Sequence, residues 1–97
     1  MGQIEFPSEP NWQPLQLLVP EEELRDEFMF MGTFVAEEEG APRIELYKHQ
    51  SSRRYLNLDA EGNCYVYDGA NAVRGENPYR KIIRRDALGG LFACGRG

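Results

Sequence analysis

The chain is poor in the features that announce a location or a reaction. It holds two cysteines, one histidine and one tryptophan among 97 residues. Its longest apolar run near the N-terminus, Leu17-Leu18-Val19, falls far short of a secretory h-region or a membrane span. No positively charged stretch precedes that run, so a cytoplasmic location without membrane association is expected. Cys64 and Cys94 lie thirty positions apart (94 − 64), outside any C-x-x-C frame, and no other cysteine extends them into a metal knuckle. Two free thiols follow, with Cys64 packed in the core, and neither metal nor cofactor is expected. A phosphate loop is missing too, because Gly89, Gly90, Gly95 and Gly97 fit neither G-x-x-x-x-G-K nor G-x-G-x-x-G.

What is there is the material of one small folded domain. The composition, 41% hydrophobic and 28% charged, argues against wholesale disorder. One domain is expected over 1–97: an extended arm over 1–19, a globular core over 20–94 and a frayed tail over 95–97. The net charge of −5 conceals a split. Met1 to Ala41 carries ten acidic residues and only Arg25 as a cation, whereas Pro42 to Gly97 carries six acidic and ten basic residues. Halves of −9 and +4 attract each other within one fold of this size, or mark separate binding surfaces.

Pro7, Pro10, Pro14 and Pro20 argue against regular structure at the start of the chain, where Trp12 is the natural anchor of an extended arm. Proline followed by Glu21-Glu22-Glu23 is a helix start, with carboxylates at the positive end of the dipole. A short helix is therefore expected from Pro20 to about Arg25. From Phe28 to Ala36 the residues alternate and are rich in aromatics, which predicts a first strand with Phe28, Phe30 and Phe34 on one side.

Arg43 to Asp68 reads as an antiparallel meander. A three-residue turn at Gln50-Ser51-Ser52 would pair Ile44 with Leu58, Leu46 with Leu56 and Tyr47 with Tyr55. A second turn at Ala60-Glu61-Gly62 would pair Leu58 with Cys64, Leu56 with Val66 and Tyr55 with Tyr67. This register gives an aliphatic face and a tyrosine face. A last strand from Tyr79 to Ile83 and a helix from Arg85 to about Phe92, packing Leu88, Leu91 and Phe92 on the sheet, complete the expectation. The fold class is α+β: a small twisted sheet of four or five strands with one or two short helices.

The densest polar cluster is Lys48-His49-Gln50-Ser51-Ser52-Arg53-Arg54, next to Tyr47, Tyr55 and Tyr67. Arginine forks and turn amides grip carboxylates and phosphates, and cations beside aromatics are enriched at binding hot spots. The cluster points to a non-catalytic module that recognises a protein or an acidic ligand. A second reading uses the same tyrosines to stack single-stranded nucleic acid, although a sequence pI near 4.8 weighs against it. A nuclease-like site from His49, Lys48, Arg53 and Tyr47 is the third, and a Ser-His-Asp set from Ser51 or Ser52, His49 and Asp59 can be written on paper. Exposed sheet edges would also support a homodimer.

Overall fold

A computed structural model describes residues 2–89. Six strands run in sequence order through one antiparallel sheet: β1 (Gly2–Glu5), β2 (Phe28–Ala36), β3 (Ile44–His49), β4 (Tyr55–Leu58), β5 (Cys64–Tyr67) and β6 (Tyr79–Ile82). Four short helices accompany them: α1 (Gln13–Leu18), α2 (Glu22–Arg25), α3 (Gly69–Val73) and α4 (Arg84–Leu88). The class is α+β as expected, but among the described residues the sheet has six strands rather than four or five, and the helices number four rather than one or two.

The additional strand β1 and the additional helix α1 come from the segment expected to be an extended arm, and the other additional helix, α3, lies between the meander and β6. Residues 2–5 precede the first proline, so their amides are free to pair, and they align with Thr33 to Ala36 of β2. In α1, Pro14 sits in the first turn, where its missing N–H leaves no helical bond unmade. Trp12 anchors this segment as its size suggests. Its ring stacks on Tyr47 at 5.6 Å and meets Phe30 edge-on at 6.2 Å. The expected C-terminal packing of Leu91 and Phe92 lies outside the described residues, as does Cys94.

Two structural details redistribute the side chains. The first is a bulge in β2. Phe28 and Phe30 pair with His49 and Tyr47, but after Met31 the register shifts, so that Gly32 pairs with Leu46 and Phe34 with Ile44. The extra residue turns Phe34 to the face opposite Phe28 and Phe30. Gly32 has φ +117°, a conformation that suits glycine, and a Cβ there would lie 2.8 Å from Ile4 Cγ2.

The second detail is the β3–β4 hairpin. His49 N–H donates to Arg54 O and Arg53 N–H donates to His49 O, both at 2.8 Å. The loop therefore holds four residues, Gln50 to Arg53, with Arg53 in the left-handed region at φ 61°. One added loop residue moves the register by one: Leu46 pairs with Asn57, Tyr47 with Leu56 and Lys48 with Tyr55. The expected Ile44–Leu58, Leu46–Leu56 and Tyr47–Tyr55 pairs are thus corrected, with Leu58 opposite Glu45 instead, and the two strands' side chains combine differently. In the next hairpin Leu58 does pair with Cys64, but the ladder ends at Asn57–Tyr65, so Tyr55 and Tyr67 are not ladder partners.

Two cores result. One contains Leu15, Val19, Phe28, Tyr47, Leu56, Leu58, Cys64 and Ala87, covering one sheet face with α1 and α4. Complete burial of such aliphatic side chains is worth about 1.5–3 kcal/mol each. The other is Phe34, Ile44 and Leu46, with Tyr65 and Tyr79 against it. Phe34 on β2 and Tyr79 on β6 have ring centroids 4.7 Å apart although three strands separate them in the sheet. The sheet is therefore strongly curled, and this second core lies in its concave face.

Candidate functional site

Beside the second core the concave face opens into a cavity of about 570 Å³. Ile4 and Phe6 of the N-terminal segment, Met31 and Leu46 form one part of its wall. Arg54, Tyr55, Asn57, Tyr65, Tyr67 and Tyr79 bring most of its polar atoms, and Ala87 with Asp86 borders it from α4. Size and lining are those of a pocket for a small ligand or a protruding side chain, mostly apolar with few polar groups. The mouth carries exposed apolar residues: Phe6 is 78% exposed, Tyr67 59% and Tyr55 48%.

The structure divides the residues singled out in the sequence. Arg54, Tyr55 and Tyr67 line the cavity. Lys48 stands beside them, its Nζ 5.8 Å from the Tyr55 ring centroid, within cation–π range. Arg53 is exposed at the hairpin tip. Tyr47 and His49 are elsewhere, fully buried in the opposite face by the one-residue register shift. Burial pushes the Tyr47 phenol well above its ordinary range, Glu45 adds to the rise, and the hydroxyl donates to Asn11 O.

His49 shapes the hairpin. The Ser52 backbone N–H donates to Nδ1 at 3.2 Å, which makes Nδ1 an acceptor and puts the ring proton on Nε2. Nε2 donates to Glu27 Oε1 at 2.7 Å, and Ser52 Oγ is 2.9 Å from Nδ1. Serine, histidine and glutamate thus touch in the order of a hydrolytic triad, although Asp59 takes no part. The imidazole is 1% exposed, and its lone pair is already taken up by a backbone amide that closes the turn. This is the arrangement of a turn clasp, with Arg54 N–H donating in turn to Ser52 Oγ at 3.3 Å.

Asp59 builds the other turn. Its carboxylate accepts the backbone N–H groups of Glu61 and Asn63 at 2.9 Å, the Asn63 side-chain amide at 3.0 Å and the Tyr65 hydroxyl at 2.9 Å. Burial disfavours its charge, but these bonds outweigh burial and hold Asp59 below the usual carboxylate range. Tyr65 is pushed up to about 12 by burial, by its bond to Asp59 and by the charges of Asp59 and Glu61. Tyr79, also in the cavity wall, is raised by burial and by the nearby phenols of Tyr67 and Tyr55.

Sequence reasoning missed most of the cavity wall. Ile4 and Phe6 fall in the segment expected to be an extended arm, and Asn57 falls within the expected meander. One signal was present: Asn57 is a polar residue with poor strand propensity between Leu56 and Leu58. Its Nδ2 donates to Tyr65 O at 3.2 Å, while Oδ1 is buried with no hydrogen-bond partner among the described residues. Leaving such an acceptor unmade costs about 1–3 kcal/mol.

Among the described residues no group of three or more His, Cys, Asp or Glu side chains could hold a metal ion. No helix among them is long and apolar enough to cross a membrane. No protein-family model matches the chain, and no curated protein or solved structure matches it either.

Proposed function

We propose that this domain is a non-catalytic interaction module that captures an apolar group bearing a carboxylate. The observation that supports this reading is the meeting of Arg54, Tyr55 and Tyr67 at the rim of one apolar cavity. The cavity would take the apolar body, and the rim would take the charge. Arg54 donates from Nη1 to Gly89 O at 2.8 Å, one of the five N–H donors of its guanidinium, which leaves donors for an anion. Lys48 beside Tyr55 adds positive potential on the same side. Asp86 opposes it, but its carboxylate is 3.9 Å from Arg85 Nε, which offsets part of that charge.

The test compares two probes of one shape, 1-naphthaleneacetate and its neutral amide, by amide chemical-shift titration of the full chain. The carboxylate should bind roughly three- to fivefold more tightly, the range of an exposed charge pair, with shifts centred on Tyr55 and Tyr67. Arg54→Gln should erase the preference without unfolding the protein. Shifts centred away from the cavity, or a preference that survives Arg54→Gln, would rule the reading out. So would tighter binding of a single-stranded oligonucleotide than of either probe.

A further inference from the structure

We infer that Asn57 makes the concave cavity selective for a ligand that carries an N–H or O–H donor on its buried end, a small aromatic carboxylate with such a donor being the chemistry that fits. The inference deepens the function proposed above and rests on it. Asn57 pairs with Leu46 on one side and Tyr65 on the other, so it stands in the middle of the sheet on the face that forms the cavity. It is 5% exposed. Its amide nitrogen is used, but its carbonyl oxygen has no partner among the described residues. The nearest phenol in the ladder does not serve it, because the Tyr65 hydroxyl is turned to Asp59.

An aliphatic residue at this position would pack the strand without an orphaned acceptor, whereas the asparagine makes one bond, from Nδ2 to Tyr65 O, and leaves Oδ1 without a partner among the described residues. What it also adds is a buried, unpartnered acceptor on a residue that lines a mostly apolar cavity. A site built this way rejects a ligand that lacks the matching donor more strongly than a purely apolar pocket rejects a change of shape. The aromatic part follows from the walls. Tyr67 and Tyr79 meet edge to face at 5.7 Å and 77°, and with the aliphatic side chains of Leu46 and Met31 they line a wall suited to a flat occupant. The carboxylate follows from Arg54 at the rim. A cavity of about 570 Å³ has room for a one- or two-ring molecule.

Indole-3-acetate and 1-naphthaleneacetate form the decisive pair, since both are flat carboxylates and only the first carries a ring N–H. Calorimetric titration of the full chain should show indole-3-acetate binding about tenfold more tightly, the effect of one hydrogen bond to a buried acceptor. Asn57→Leu should bind the two with equal affinity. Equal affinity of the parent protein for both probes would overturn the role of Asn57, as an ordered water satisfying Oδ1 would produce, while leaving the carboxylate-binding reading in place. That outcome needs no variant, so a folding failure of Asn57→Leu does not protect the inference. A tenfold preference retained in Asn57→Leu would also overturn it. Binding of neither probe would overturn both readings together.

Discussion

Asp59 shows how much one residue can organise. It is 6% exposed and ties Glu61, Asn63 and Tyr65 into the turn that follows β4. Its folded carboxyl titrates below its ordinary value, so the stabilisation it gives is complete above the unfolded value of about 4 and is lost as pH falls through the folded value. Asp59→Asn should therefore cost about 2 kcal/mol at neutral pH, with the gap to the parent closing in acid. Urea unfolding from pH 7 to pH 2 measures this. The same variant removes a charge and an acceptor from Tyr65, whose phenol titration near 12 should move down in alkaline absorbance scans. A gap that stays constant into acid would exclude this role for Asp59. Arg53 and Asn57 are the counter-examples at this scale: one holds a left-handed backbone at the hairpin tip, the other a buried acceptor without a partner among the described residues, in the cavity wall.

At the scale of the element, the bulge in β2 decides which aromatic enters which core. Without it Phe34 would follow Phe28 and Phe30 onto the helix-covered face, and the concave core would lose its largest apolar side chain. Gly32 makes the bulge and also lets β1 lie close, for Ile4 Cγ2 and Glu5 O would be 2.8 and 3.0 Å from a Cβ at that position. Gly32→Ala should destabilise by about 3 kcal/mol, combining left-handed strain with overpacking. Hydrogen exchange at Gly2 to Glu5 should quicken most, because β1 is the edge strand and its ladder is with β2. Unchanged exchange in β1 would show that the bulge does not seat that strand. The short β4–β5 ladder acts in the opposite direction: by ending at Asn57–Tyr65 it lets Tyr55 and Tyr67 separate and opens the cavity between them.

Over the whole molecule, curling brings β2 and β6 face to face and turns an open meander into a concave site. The Phe34–Tyr79 contact spans that closure. A double-mutant cycle with Phe34→Ala and Tyr79→Ala should give a coupling energy of about 1 kcal/mol in urea unfolding, whereas additive effects would mean the strands do not meet. The split of charge along the chain is partly reconciled at this scale. Glu5 of the acidic half lies 3.7 Å from Arg43, and Glu27 meets His49, so each pair links the two halves. The clusters at Glu21–Glu23 and Glu37–Glu39 are exposed to solvent.

The alternation of β2, the leucine and tyrosine periodicity of β3 to β5 and the glycine at Gly62 are local patterns, and they were enough to place five of the six strands, three of them to the residue at one end or both. Local patterns also marked Arg54, Tyr55 and Tyr67 as candidates. They were not enough to assign faces. A fourth loop residue, held by the buried ring of His49 and its bonds to Ser52 and Glu27, moves the β3–β4 register by one, and a side chain 22 positions away takes part in holding it. Because side chains alternate across a strand, that one step sends Tyr47 to the core and Asn57 to the cavity wall. The composition, elements and absence of recognised motifs thus come from the chain read alone; which residues share a cavity was decided by the hairpin register, the β2 bulge and the curl of the sheet, each of which depends on contacts between segments distant in sequence.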